Sequence, residues 1–178
     1  MKAFFDIDTQ IDFLFPAGAL YSPGAERLIP PVARLNKLAI RKNIPLISTM
    51  CAHPEDAAEF KAWPPHCVVG TVGQQKPAAL LAGSGQTILE KNDLDMFSNP
   101  RAAQLLGELE IDECYVYGAF TEYCVQCAVL GLLKAGRKVR LVLDAVAAVN
   151  TEAGDKALRQ FAKTGGSSYE VCQSSQLE

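Results

Sequence analysis

No uninterrupted apolar run in the 178 residues approaches the roughly 20 needed to span a bilayer, so a membrane-crossing helix is not expected. An excess of cations is missing too. Seventeen Lys and Arg stand against 20 Asp and Glu, for a formal net charge of -3. Nothing in that balance would neutralise a phosphate backbone or an anionic lipid surface, and neither nucleic acid nor membrane is an expected partner. The first 14 residues are apolar in part, but Asp6, Asp8 and Asp12 interrupt them and no small-residue cleavage site follows. The expectation is a cytoplasmic protein. Histidine is scarce: His53 and His66 are the whole supply, and with no G-x-S-x-G elbow a Ser-His-Asp triad has no foundation. There is neither a P-loop nor a Gly-rich dinucleotide fingerprint, so no organic cofactor is expected.

What the chain does have is apolar material, 49% hydrophobic residues against 21% charged, which excludes global disorder. The length suits one domain over residues 1–178. Six cysteines in a chain with a large core read as thiols rather than as a disulfide framework.

Strands are predicted at Ala3–Ile7, Ile44–Ser48, Gln86–Lys91, Cys114–Gly118, Val139–Leu143 and Ser168–Val171. Between them, helical spacing runs from Pro30 to Lys42, from Asn99-Pro100 through Leu109, from a Thr121 cap to Gly136, and from Asn150 or Thr151 to Gly165-Gly166. This alternation implies an α/β fold: six strands in a mostly parallel sheet, covered by helices on both faces. Thr49–Gly73 is irregular, with five Pro and Gly residues breaking every period, and a long irregular stretch inside a compact domain points to function.

In open α/β sheets ligands bind beyond the carboxyl ends of strands, which makes Asp8, Lys91 and Cys124 the first suspects. Cys124, placed about one turn into a helix, would gain thiolate character from the positive end of the dipole. A buried structural cysteine is the competing reading. Asp8 could take and return the thiol proton, and Lys91 would keep that carboxylate ionised. Cys124 and Cys127 also form a C-x-x-C pair, which leaves a thiol redox protein as an alternative, although Cys127 is expected to face the core. In the irregular segment Cys51, His53, Glu59 and His66 offer ligands suited to a divalent metal, zinc first.

Four stretches carry a family resemblance: Asp8-Thr9-Gln10-Ile11-Asp12-Phe13, the run from Trp63 to Gly73, Lys91, and the run from Gly118 to Val125. On these the chain resembles the isochorismatase-like cysteine hydrolases, in their nicotinamidase branch. The resemblance implies a six-stranded doubly wound parallel sheet in three α/β/α layers and an Asp8-Lys91-Cys124 triad. It implies cleavage of a small amide, nicotinamide-like, to acid and ammonia through a thioester; another small amide or a ureido compound is the alternative. It further implies a cis peptide at Ala119-Phe120, an oxyanion hole from the N–H groups of Phe120 and Cys124, and substrate contacts from Phe13, Trp63, Ala119 and Phe120. Homo-oligomers are implied as well. A non-catalytic binding protein on the same fold is disfavoured by the intact triad. One departure stands out: the family pattern is similar to Asp-x-His at the metal loop, and this chain has Cys51-Ala52-His53, with Glu59 nearest to the missing next histidine.

Overall fold

The computed structural model describes residues 1–177. Its elements run β1 (Lys2–Ile7), α1 (Ile11–Leu14), α2 (Ile29–Arg41), β2 (Leu46–Cys51), β3 (Gln86–Lys91), α3 (Arg101–Glu108), β4 (Glu113–Ala119), α4 (Cys124–Lys134), β5 (Lys138–Ala147), α5 (Thr151–Gly165) and β6 (Tyr169–Cys172). The sheet is six-stranded and parallel throughout, in the order β3-β2-β1-β4-β5-β6. Chain order runs one way from β1 and the other way from β4, so the switch point lies between those two strands. A crevice opens there, beyond their carboxyl ends.

Burial follows position in the sheet. In central β1 every residue from Ala3 to Ile7 is buried, whereas edge strand β3 alternates at its end, exposing Ile88 and burying Leu89. Helix α2 packs Val32, Leu35 and Ala39 against β1 and β2 on one face. On the other, α4 lies against β4, β5 and α5, and α5 reaches β6. Right-handed crossovers require this division, because β1-to-β2 and β4-to-β5 travel in opposite directions across the sheet.

Several expected boundaries move. The second strand starts at Leu46, since the Ile44 N–H is taken by Ala39 O in the turn that closes α2, and it runs on to Cys51. That extension takes Cys51 out of the irregular loop and pairs it in register with Lys91. Strand β5 extends to Ala147 past an irregularity in its pairing with β4. The short helix α1 was not expected. Thr121 does not cap α4: its hydroxyl donates to Ala147 O at 3.0 Å, and the helix opens at Cys124 after Tyr123. Cys124 is thus the first helical residue rather than one turn inside. The cap expected at Asn150 is present, its side chain accepting from Ala153 N.

Among the described residues no helix is long and apolar enough to cross a membrane. The peptide bond Ala119-Phe120 is cis.

Candidate active site

Asp8 follows β1 with φ of 46°, a left-handed conformation that ends the strand and that Asp tolerates better than most residues. Neighbouring β2 holds it there. The Asp8 N–H donates to Thr49 Oγ1 at 3.1 Å, and the Thr49 hydroxyl donates to Asp8 Oδ1 at 2.6 Å. The other carboxylate oxygen faces Lys91 Nζ at 2.8 Å, inside a fully buried ion pair. Lys91 Nζ also donates to Asp93 O at 2.8 Å, and lies 3.2 Å from Cys51 Sγ and 3.6 Å from Cys124 Sγ. The Asp8 carboxylate and both sulfurs lie within 4.8 Å of one another. Three strand ends and one helix start therefore converge on a single ammonium.

The electrostatics follow from that ammonium. Burial works to raise the Asp8 carboxyl, but Lys91, with hydrogen bonds from Cys124 and Thr49, overcomes it and leaves the group below its ordinary range. Burial likewise works against the charge on Lys91, and Asp8, Cys124 and Cys51 outweigh it, so the amine is raised well above its usual value. The two thiols titrate as a pair. Hydrogen bonding to Cys124 pulls Cys51 down to about 6, while the same contact together with burial pushes Cys124 well up.

Cys124 and Cys51 both line a cavity of about 260 Å³. Phe13, Trp63, Ala119 and Phe120, the four expected substrate contacts, lie around it, together with Leu20, Tyr21, Leu94, Tyr123 and Val149. The rings are braced edge to face: Phe13 against Phe120 at 5.8 Å between centroids, Trp63 against Tyr123 at 6.0 Å. Among the described residues, the backbone N–H groups of Phe120 and Cys124 donate to no protein acceptor. Two free donors thus stand at the start of α4, beside the Cys124 sulfur.

The expected metal ligands divide. His53, Glu59 and His66 bring their ligand atoms within 4.8 Å of one another. Cys51, expected as the fourth, groups with Asp8 and Cys124 through its register opposite Lys91, and its side chain also hydrogen-bonds His53. His53 Nδ1 meets Asn92 Oδ1 at 2.6 Å, and His66 Nδ1 meets Pro64 O at 2.9 Å. Nε2 of each ring faces Glu59, at 3.9 and 3.5 Å respectively. His53 Nε2 is buried with no hydrogen-bond partner among the described residues. A buried imidazole nitrogen without a partner, a second imidazole and a carboxylate make a donor set that fits zinc. Glu59 and His66 also border the cavity.

Sequence reasoning missed Thr49, Asn92, Gln10 and the apolar residues Leu20, Tyr21, Leu94 and Val149. Thr49 was within reach, standing one residue past the predicted end of the second strand, and Asn92 directly follows Lys91. Gln10 clamps the loop after β1 to the end of β2: its side chain bonds Cys51 N and O, both at 2.8 Å, and Gln74 O at 2.7 Å. The apolar four carried no signal. Cys127, expected in the core, is only half-buried on α4.

The chain matches the family model described as Isochorismatase domain over residues 2–171. Its curated relatives include the nicotinamidase of Escherichia coli K12, 27% identical, with 88% of this chain and 87% of that protein covered. The nicotinamidase of Saccharomyces cerevisiae is 25% identical, with coverage of 81% and 87%. Among solved structures, a pyrazinamidase of Pyrococcus horikoshii in complex with zinc superposes with a TM-score of 0.90 at 28% identity, covering 97% of this chain and 98% of that one.

Proposed function

The chain belongs to the isochorismatase domain family and is a hydrolase of amide C–N bonds; we propose that it cleaves a small aromatic amide of the nicotinamide kind through a thioester on Cys124. The observation that carries this reading is the convergence of Asp8, Lys91 and Cys124 at a small, largely apolar cavity beside two free backbone donors. The nicotinamidases and the pyrazinamidase it resembles act on flat aromatic amides, and a cavity walled by Phe13, Trp63, Phe120 and Tyr123 accepts a ring of that size.

Asp8, held anionic by Lys91, accepts the Cys124 proton as the sulfur attacks the amide carbonyl carbon. The N–H groups of Phe120 and Cys124 receive the oxyanion, and they cost no reorganisation because they have no other acceptor. Asp8 passes its proton to the departing ammonia. It then takes one from the water that attacks the thioester, which frees the acid and restores the thiol. Throughout, Lys91 keeps positive charge beside whichever of carboxylate and sulfur is negative.

His53, Glu59 and His66 would hold a divalent ion, with Asn92 and Pro64 fixing the two imidazole rings. Such an ion supplies a Lewis-acid contact for a ring nitrogen of the substrate.

Ammonia release from nicotinamide, other aromatic amides and ureido compounds tests the reading. We expect turnover with aromatic amides; turnover confined to ureido compounds would replace the substrate, and none with any amide would overturn it. Metal content is a separate readout. Zinc bound by the purified protein should fall on His66→Ala, and Asn92→Ala should weaken zinc binding by roughly 10- to 100-fold, as loss of a ring-orienting partner does. Equilibrium dialysis measures both.

A further inference from the structure

Cys51 has no part in the proposed hydrolysis, yet it is the residue closest to being a second reactive sulfur in the site. It ends β2, sits 3.2 Å from Lys91 Nζ and 3.6 Å from Asp8 Oδ2, and lines the cavity beside Cys124. Its sulfur lies within 4.8 Å of the Cys124 sulfur. A disulfide requires about 2 Å between sulfurs, so its formation draws the two side chains toward each other across the space they share. The other four cysteines lack this setting. Cys67, Cys114, Cys127 and Cys172 do not border the cavity, and burial pushes the Cys114 thiol up to about 12 and Cys172 up to about 11.

We propose that Cys51 and Cys124 form an oxidation site specific to this pair, in which a small hydroperoxide entering the cavity converts the two thiols into a reversible Cys51–Cys124 disulfide. In the first step the Cys124 sulfur, passing its proton to Asp8, attacks a peroxide oxygen. The S–O bond forms, the O–O bond breaks, and the departing hydroxide or alkoxide takes a proton to give water or an alcohol. In the second, the Cys51 sulfur attacks the sulfenic sulfur; the S–S bond forms, the S–O bond breaks, and the hydroxide leaves as water with the proton of the Cys51 thiol. Two thiols are oxidised, one peroxide is reduced by two electrons, and a dithiol reductant reverses the result. Lys91, in contact with both sulfurs, stabilises whichever carries the charge. Cys51 thereby intercepts the sulfenic acid before a second oxygen makes the damage permanent. A carboxylate at position 51 could not do this.

The test treats the full-length protein with hydrogen peroxide and follows intact mass, non-reducing peptide maps and, in parallel, ammonia release before and after dithiothreitol. The expected product has lost the mass of two hydrogens, yields a Cys51–Cys124 cross-linked peptide and regains its starting activity on reduction. Cys51→Ser and Cys51→Ala should instead gain two or three oxygens at Cys124 and fail to recover, each judged against its own untreated sample. Cys127→Ser should still cross-link. Sulfinate on wild-type Cys124 without a cross-link, a Cys124–Cys127 cross-link, or unmodified thiols would each overturn the proposal. The mass readout stands whether or not the amide reading holds, so the two can fail separately.

Discussion

Strand β1 and the turn that follows it send two aspartates into two buried lysines, and only one of the resulting pairs is built for chemistry. Asp6 meets Lys76 Nζ at 3.2 Å, and Asp8 meets Lys91 Nζ at 2.8 Å; all four side chains are removed from solvent. The Asp6 pair is closed on every side by neutral hydrogen-bonding groups. Thr9 donates to Oδ1 at 2.6 Å, Asn36 and Ser48 to Oδ2 at 3.1 Å each, and Lys76 donates to Thr9 Oγ1 at 2.9 Å. Tyr117 in turn donates to Asn36 Oδ1 at 2.7 Å. No thiol adjoins this network, and none of its members borders the candidate active-site cavity. The Asp8 pair has fewer neutral partners, and in their place stand two sulfurs and a cavity. A buried carboxylate-ammonium pair is therefore not by itself a catalytic signal; what makes one reactive is a nucleophile left to share the ammonium and a space where substrate can stand.

Substitutions sharpen or break that contrast. Cys124→Ala should show the largest effect, a loss of ammonia release on the order of 10⁴-fold or more, because nothing replaces the attacking sulfur; near-normal turnover would remove the hydrolase reading. Lys91→Met comes next, with turnover down roughly 10²- to 10⁴-fold, since neither Asp8 nor the thiolate keeps its counter-charge. Lys76→Met is the decisive comparison. Stranding Asp6 should cost about 3–5 kcal/mol in denaturant unfolding, as breaking a buried pair does, while ammonia release per folded molecule stays near wild type. If instead folded Lys76→Met loses turnover as Lys91→Met does, the division between a structural and a chemical pair fails. Tyr117→Phe should be mildest, about 1–2 kcal/mol of stability from an unsatisfied Asn36 oxygen and no change in turnover.

Some of this was readable from residue order and some was not. Lys91 at the end of β3, Asp8 just beyond β1 and Asn150 at the start of α5 are local facts: an apolar run stops and a polar residue with a definite role follows. The placements that failed were non-local. Thr121 looks like a helix cap in one dimension, but its hydroxyl is taken by Ala147 on the adjacent strand. Cys51 was grouped with His53 by proximity along the chain. In the fold β2 continues through it and register sets it opposite Lys91, so its sulfur joins Asp8 and Cys124 as well as His53, whose Nδ1 meets Asn92.

By itself the order of amino acids determined the alternation of strands and helices, the parallel sheet and the chemical groups at its carboxyl edge, because hydrophobic periodicity and strand termination are properties of neighbouring residues. Only the folded molecule decided which groups share a charge. Register between strands 40 residues apart set Cys51 opposite Lys91 and gave the site two sulfurs around one ammonium, and no local pattern encodes a distance across a sheet.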